Sequence, residues 1–92
     1  MTAPSWRLSL ARYTNLDNAQ AEILIYDRDD SVRASVAANH SLSTEHVNIL
    51  LKDHSRMVRL SLANNAILTV DQLFMLGSDE DAYVRQAALK RI

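Results

Sequence analysis

Apolar residues in this chain return on two nested spacings: three and four residues apart within short stretches, and 26 residues apart from one stretch to the next. The longer spacing is the more informative, because a fixed period of roughly 20 to 50 residues marks a supersecondary unit copied along a chain. At that spacing Trp6, Val32, Val58 and Val84 form one column, each followed by an arginine at Arg7, Arg33, Arg59 and Arg85. Leu10, Val36, Leu62 and Ala88 stand four residues later, next to Ala11, Ala37, Ala63 and Leu89, with the small residues Ser9, Ser35, Ser61 and Ala87 between. Apolar positions at i and i+4 around a small one predict a helix packed closely on a neighbour, helix A of each unit. A second set predicts helix B, with Ala21, Val47 and Leu73, then Ile23, Ile49 and Met75, then Leu24, Leu50 and Leu76 as its apolar rows.

Polar positions mark where these helices start. Asp17, Ser43 and Thr69 share a column, and each offers a side-chain oxygen to an unpaired first-turn amide of helix B. Gln20 and Gln72 complete capping boxes three residues on, with His46 in that place in the middle unit, read as a solvent-facing first-turn residue. Leu16, Leu42 and Leu68 before the caps pair with Ala21, Val47 and Leu73 as hydrophobic staples. Helix A has Asp29, Ser55 and Asp81 as caps, and Pro4 suits the first helical position of the first unit.

The 92 residues hold three such units and half of a fourth, with boundaries near 1–27, 28–53, 54–79 and 80–92. One glycine and one proline leave little for hairpin turns, so the expected class is all-α. Seven helices of about ten residues, each too short to persist alone, predict one domain in which neighbouring pairs supply each other's interior. The natural form is a right-handed α-solenoid of about three and a half units. With 48% apolar residues and no cysteine, stability must come from packing rather than disulfides.

The segments Asp27 to Asn39, Asp53 to Asn65 and Asp79 to Leu89 carry a family resemblance. They resemble the bacterial leucine-rich repeat variant and the wider HEAT and armadillo-like class, including the short HEAT-like repeats of phycobilisome lyases. The resemblance covers nearly the whole chain. It implies stacked polar ladders from Asp27, Asp53 and Asp79 with Arg33, Arg59 and Arg85. The chain departs from the variant pattern at His40 and Ala66, where proline usually follows the asparagine, and it has no cysteine cluster for an iron-sulfur segment.

Candidate chemistry is sparse. Asp27, Asp29 and Asp30, and Asp79, Glu80 and Asp81, lack the glycine and distal glutamate of a calcium loop, and capping accounts for their position. His40, His46 and His54 do not form a zinc-ligand pattern, and Gly77, the one glycine, reads as a helix B C-cap rather than part of a nucleophile elbow. No catalytic residue, cofactor or metal site is assigned. Asn39 and Asn65 read as left-handed caps whose side chains bond local backbone, with a ligand-binding asparagine row as the alternative.

Surface remains. Residues at i, i+3 and i+7 of helix B form one outward stripe per unit: Ala19, Glu22 and Tyr26; Glu45, Asn48 and Lys52; Asp71, Phe74 and Ser78. Tyr26 and Phe74 are its aromatic anchors, and Met57 and Tyr83 define a smaller patch on helix A. Trp6 is expected to cover the first end. At the other end Val84, Ala88 and Leu89 are expected to lack a packing partner, an edge that docks on another copy or on a partner, or is relieved by rotation of the last helix. A formal charge of -1 weighs against phosphate binding. The absence of a long apolar run or leader predicts no membrane contact and a cytoplasmic location. The expected function is a non-catalytic scaffold that binds a protein or peptide on its helix B face. The competing readings are a nucleic-acid-binding solenoid and a lyase-like repeat protein.

Overall fold

Short polar side chains start the helices where the sequence places them. The computed structural model describes residues 5–13 and 16–92, and these form seven α-helices. The A helices are α1 (Ser5–Ala11), α3 (Asp30–Ala37), α5 (Arg56–Ala63) and α7 (Ala82–Leu89). The B helices are α2 (Asn18–Leu24), α4 (Thr44–Leu50) and α6 (Val70–Leu76). Among the described residues there is no strand. Pro4 lies outside the described residues.

Asp17 accepts from the Gln20 amide at 2.7 Å while the Gln20 side chain accepts from the Asp17 amide at 3.1 Å. Thr69 and Gln72 repeat this capping box on α6. Asp29 caps α3 through the Ser31 amide, and Asp81 caps α7 through the Tyr83 and Val84 amides. Ser55 precedes α5 without a capping bond; its hydroxyl bonds the Asp30 carboxylate at 3.2 Å instead. The helices have seven or eight residues rather than ten. After α2 the chain tightens into i to i−3 bonds, Tyr26 to Ile23 and Asp27 to Leu24, and the same tightening follows α4 and α6.

The A helices pack in series, α1 on α3, α3 on α5 and α5 on α7, and each B helix lies against the A helix that follows it. The core runs through the chain: Val32, Val36, Leu50, Val58, Leu62, Leu76 and Val84 are fully buried, and the staple leucines Leu16, Leu42 and Leu68 are buried beside them. The chain measures 34 × 26 × 17 Å with a radius of gyration of 12.3 Å. That radius is about what a compact chain of this length has, so three and a half units produce no marked elongation.

Several expectations are corrected. The row Ile23, Ile49 and Met75 belongs to no apolar interior, being 74%, 37% and 55% exposed. The inward side of helix B is set by Ala21, Val47, Leu73 and Leu24, Leu50, Leu76. A residue two positions after the first of these is rotated about 200° away from it, toward solvent. Trp6 is 63% exposed and covers little, whereas its column mates Val32, Val58 and Val84 are fully buried. Val84 and Ala88 are fully buried because they face back onto α5 and α6; at that end only Leu89 of the three is exposed. No residue among those described has a positive φ, so Asn39 and Asn65 are not left-handed caps.

Candidate interaction surface

Two sets of polar bonds, each repeated along the chain, hold the A helices in register. Arg33 donates through Nε to Asp53 at 2.9 Å and through Nη1 to the Asp27 carbonyl at 2.6 Å. Arg59 does the same to Asp79 at 2.8 Å and to the Asp53 carbonyl at 2.6 Å. Arg7 pairs with Asp27 at 2.8 Å, and Arg85 reaches the Asp79 carbonyl at 2.7 Å. Arg7, Arg33 and Arg59 therefore each join the aspartate 20 residues on, just ahead of the next A helix, and Arg33, Arg59 and Arg85 tie down the backbone entering their own helices. Asp27, Asp53 and Asp79 in addition accept the amides of Asp29, Ser55 and Asp81, each at 2.9 Å. Such charge-assisted, multiply bonded pairs fix geometry more firmly than exposed ion pairs do.

The second set answers the question of the asparagines. Asn39 donates to the carbonyls of Ala11 and Tyr13, and Asn65 donates to those of Ala37 and Asn39. Their side-chain oxygens accept the amides of Ser41 and Ile67. Half of the local-backbone reading thus holds, but the amide nitrogens reach back 26 and 28 residues. Both side chains are buried with their amide nitrogens engaged on backbone, so neither has a donor to offer a ligand. In the last unit Arg91 occupies the same column and makes the same two bonds, to Ala63 and Asn65, at 2.6 and 2.8 Å.

A third link joins the B helices and had no local signal. His46 is buried, not solvent-facing, and its Nε2 lies 2.7 Å from the Glu22 carboxylate on α2. Gln72 on α6 donates to Asn48 on α4 at 3.4 Å, again across 24 residues. The N3 position of one B helix thus touches the outward edge of the preceding one.

The outward face of α2, α4 and α6 carries the candidate residues Glu22, Tyr26, Glu45, Asn48, Lys52, Asp71 and Phe74, all exposed. Glu22 and Asn48 are partly engaged in the cross-helix bonds just described. The row Ile23, Ile49 and Met75 runs through the same face, exposed and not in the interior. Its period of 26 marks an ordered row, and its angle on the helix turns that row outward.

Met57 and Tyr83 are exposed on the A side. Tyr83 lies under the Arg56 guanidinium, 6.0 Å from its ring centre, and Arg56 pairs with Asp81 at 3.3 Å. Desolvation opposes ionisation of Asp81, but the Val84 amide, the Arg56 guanidinium and the Tyr83 amide outweigh it and hold the carboxyl below the usual range. A groove of about 690 Å³ is lined by Ser31 and Ala34 of α3 with Ala38 and Asn39 after it, by Leu8 of α1 with Arg12 after it, and by Met57 of α5. Among the described residues no group of three or more histidines and carboxylates is placed to hold a metal ion. Among the described residues no helix is long and apolar enough to cross a membrane. The chain matches no protein-family model, no curated protein and no solved structure.

Proposed function

We propose that this chain is a non-catalytic protein-interaction module, a right-handed α-solenoid of the leucine-rich repeat variant or HEAT-like kind, working in the cytoplasm and binding a protein or peptide on its helix B face. The observation that carries this reading is the ordered row Ile23, Ile49 and Met75, large apolar side chains at one helical position in three successive units, exposed and flanked by Tyr26 and Phe74. Single exposed apolar residues are ordinary, but a contiguous apolar face is a feature of interaction sites. Aromatic side chains set in it supply large contact area at low entropy cost.

The nucleic-acid reading has less support. Arg7, Arg33 and Arg59 are paired with aspartates inside the fold, so the arginine column forms no continuous cationic surface. The lyase-like reading rests on resemblance alone, since the side chains it would need have no assigned roles here. Affinity capture from the source cell, by the wild-type chain and by a Tyr26→Ala, Phe74→Ala variant, tests the proposal. A protein retained by the first and lost by the second is expected; equal recovery by both removes these aromatics from binding.

A further inference from the structure

We infer that the partner of this face is a cationic amphipathic helix lying across α2, α4 and α6, an inference that rests on the proposed binding role of the face and adds its charge. Each of the three helices places one exposed carboxylate beside the apolar row: Glu45 on α4, Asp71 on α6, and Glu22 on α2, which also bonds His46. Glu45 and Asp71 hold the same helical position one unit apart, and Glu22 stands about one turn further along its helix. Through residues 26, 52 and 78, Lys52 is the only exposed cation on these helices and the turns that end them, among the described residues. A partner bearing phosphates or carboxylates meets like charge here, whereas lysines and arginines meet opposite charge.

Spacing along the B helices favours a helix. The bonds from His46 to Glu22 and from Gln72 to Asn48 link the edges of α2, α4 and α6. On α4 and α6 the carboxylate stands four residues before the apolar side chain, Glu45 before Ile49 and Asp71 before Met75, which puts each pair on one side of its helix one turn apart. An amphipathic helix presents cations and apolar side chains at the same spacing of three and four residues on one side. A helix of about 18 residues is about 27 Å long.

The test uses labelled peptides of about 18 residues, one with lysine at every seventh position and leucines between, one with glutamate in place of lysine, each titrated against the whole chain by fluorescence anisotropy. The lysine peptide is expected to bind at least about tenfold more tightly than the glutamate peptide. Glu45→Lys with Asp71→Lys is expected to invert that order, and Ile23→Ser with Met75→Ser to weaken both complexes. Circular dichroism and melting of each variant confirm that it folds. Equal affinity for the two peptides, lost in the serine variant, overturns the charge inference and leaves the binding face standing. Binding to neither peptide by the wild type, or binding unchanged in the serine variant, overturns the face as well. Tighter binding of a DNA duplex than of the lysine peptide overturns both in favour of a nucleic-acid partner.

Discussion

Asn65 engages both ends of its side-chain amide: two donated bonds to buried carbonyls of the preceding unit and one accepted from the Ile67 amide. Asn65→Ala leaves the buried Ala37 and Asn39 carbonyls without that donor. It is expected to cost about 2–4 kcal/mol in chemical denaturation. Asn65→Asp should cost no less, since it sets a carboxylate oxygen against two carbonyl oxygens. Its neighbour Asn64 is exposed and bonds only the carbonyl one turn back, so Asn64→Ala should change stability by about 0.5 kcal/mol or less. Two adjacent asparagines thus separate a cross-unit tie from an ordinary helix end. Asp81 gives the pH counterpart. Because its folded-state carboxyl titrates below the unfolded one, its stabilisation of α7 is complete above the unfolded value and is lost as pH falls through the folded value. The wild-type chain should therefore lose more stability than Asp81→Asn between about pH 5 and pH 2, and equal acid sensitivity of the two proteins would contradict the assignment.

Element starts were legible in the sequence because a cap is a local device: the bond from Thr69 to the Gln72 amide joins residues three apart. Thr69→Ala is accordingly expected to cost about 1 kcal/mol by thermal or denaturant unfolding. Ser55, in the equivalent column of helix A, makes no capping bond, so any cost of Ser55→Ala arises from its bond to Asp30. Other features of the same elements were not legible. The histidine at N3 of α4 has the position of a solvated capping residue, and only the approach of α2, 24 residues earlier, buries it against Glu22. The last unit shows a further exchange. Ile25 and Leu51 become Gly77, while Ala37 and Ala63 become Leu89, and a Cβ built on Gly77 would stand 3.0 Å from the Leu89 side chain. Bulk has moved from the end of helix B to the end of helix A. Since Gly77 has φ of -66° and Leu89 is 53% exposed and free to shift, Gly77→Ala should stabilise the chain by about 0.4–1 kcal/mol through the unfolded state.

At the scale of the molecule the period of 26 announced seven helices and the fully buried valines, but not the bonds that cross between units at separations of 24, 26 and 28 residues; the aspartate–arginine pairs at a separation of 20 were implied only by the family resemblance. No local window contains both partners of such a bond, and composition is silent about them. The period also has two separable meanings, which stability measurements can tell apart. Val58 repeats because a fully buried side chain is needed there, so Val58→Ser removes apolar contact and buries a hydroxyl, at an expected cost of about 3 kcal/mol or more. Ile23 and Met75 repeat with the same spacing while exposed, and Ile23→Ser and Met75→Ser should each cost about 1 kcal/mol or less. If both prove as costly as Val58→Ser, the row belongs to the interior and the face loses its claim to a partner. If they are cheap, packing supplies no reason for three large apolar side chains at one helical position. The surface they form is then explained by what it contacts rather than by how the chain folds.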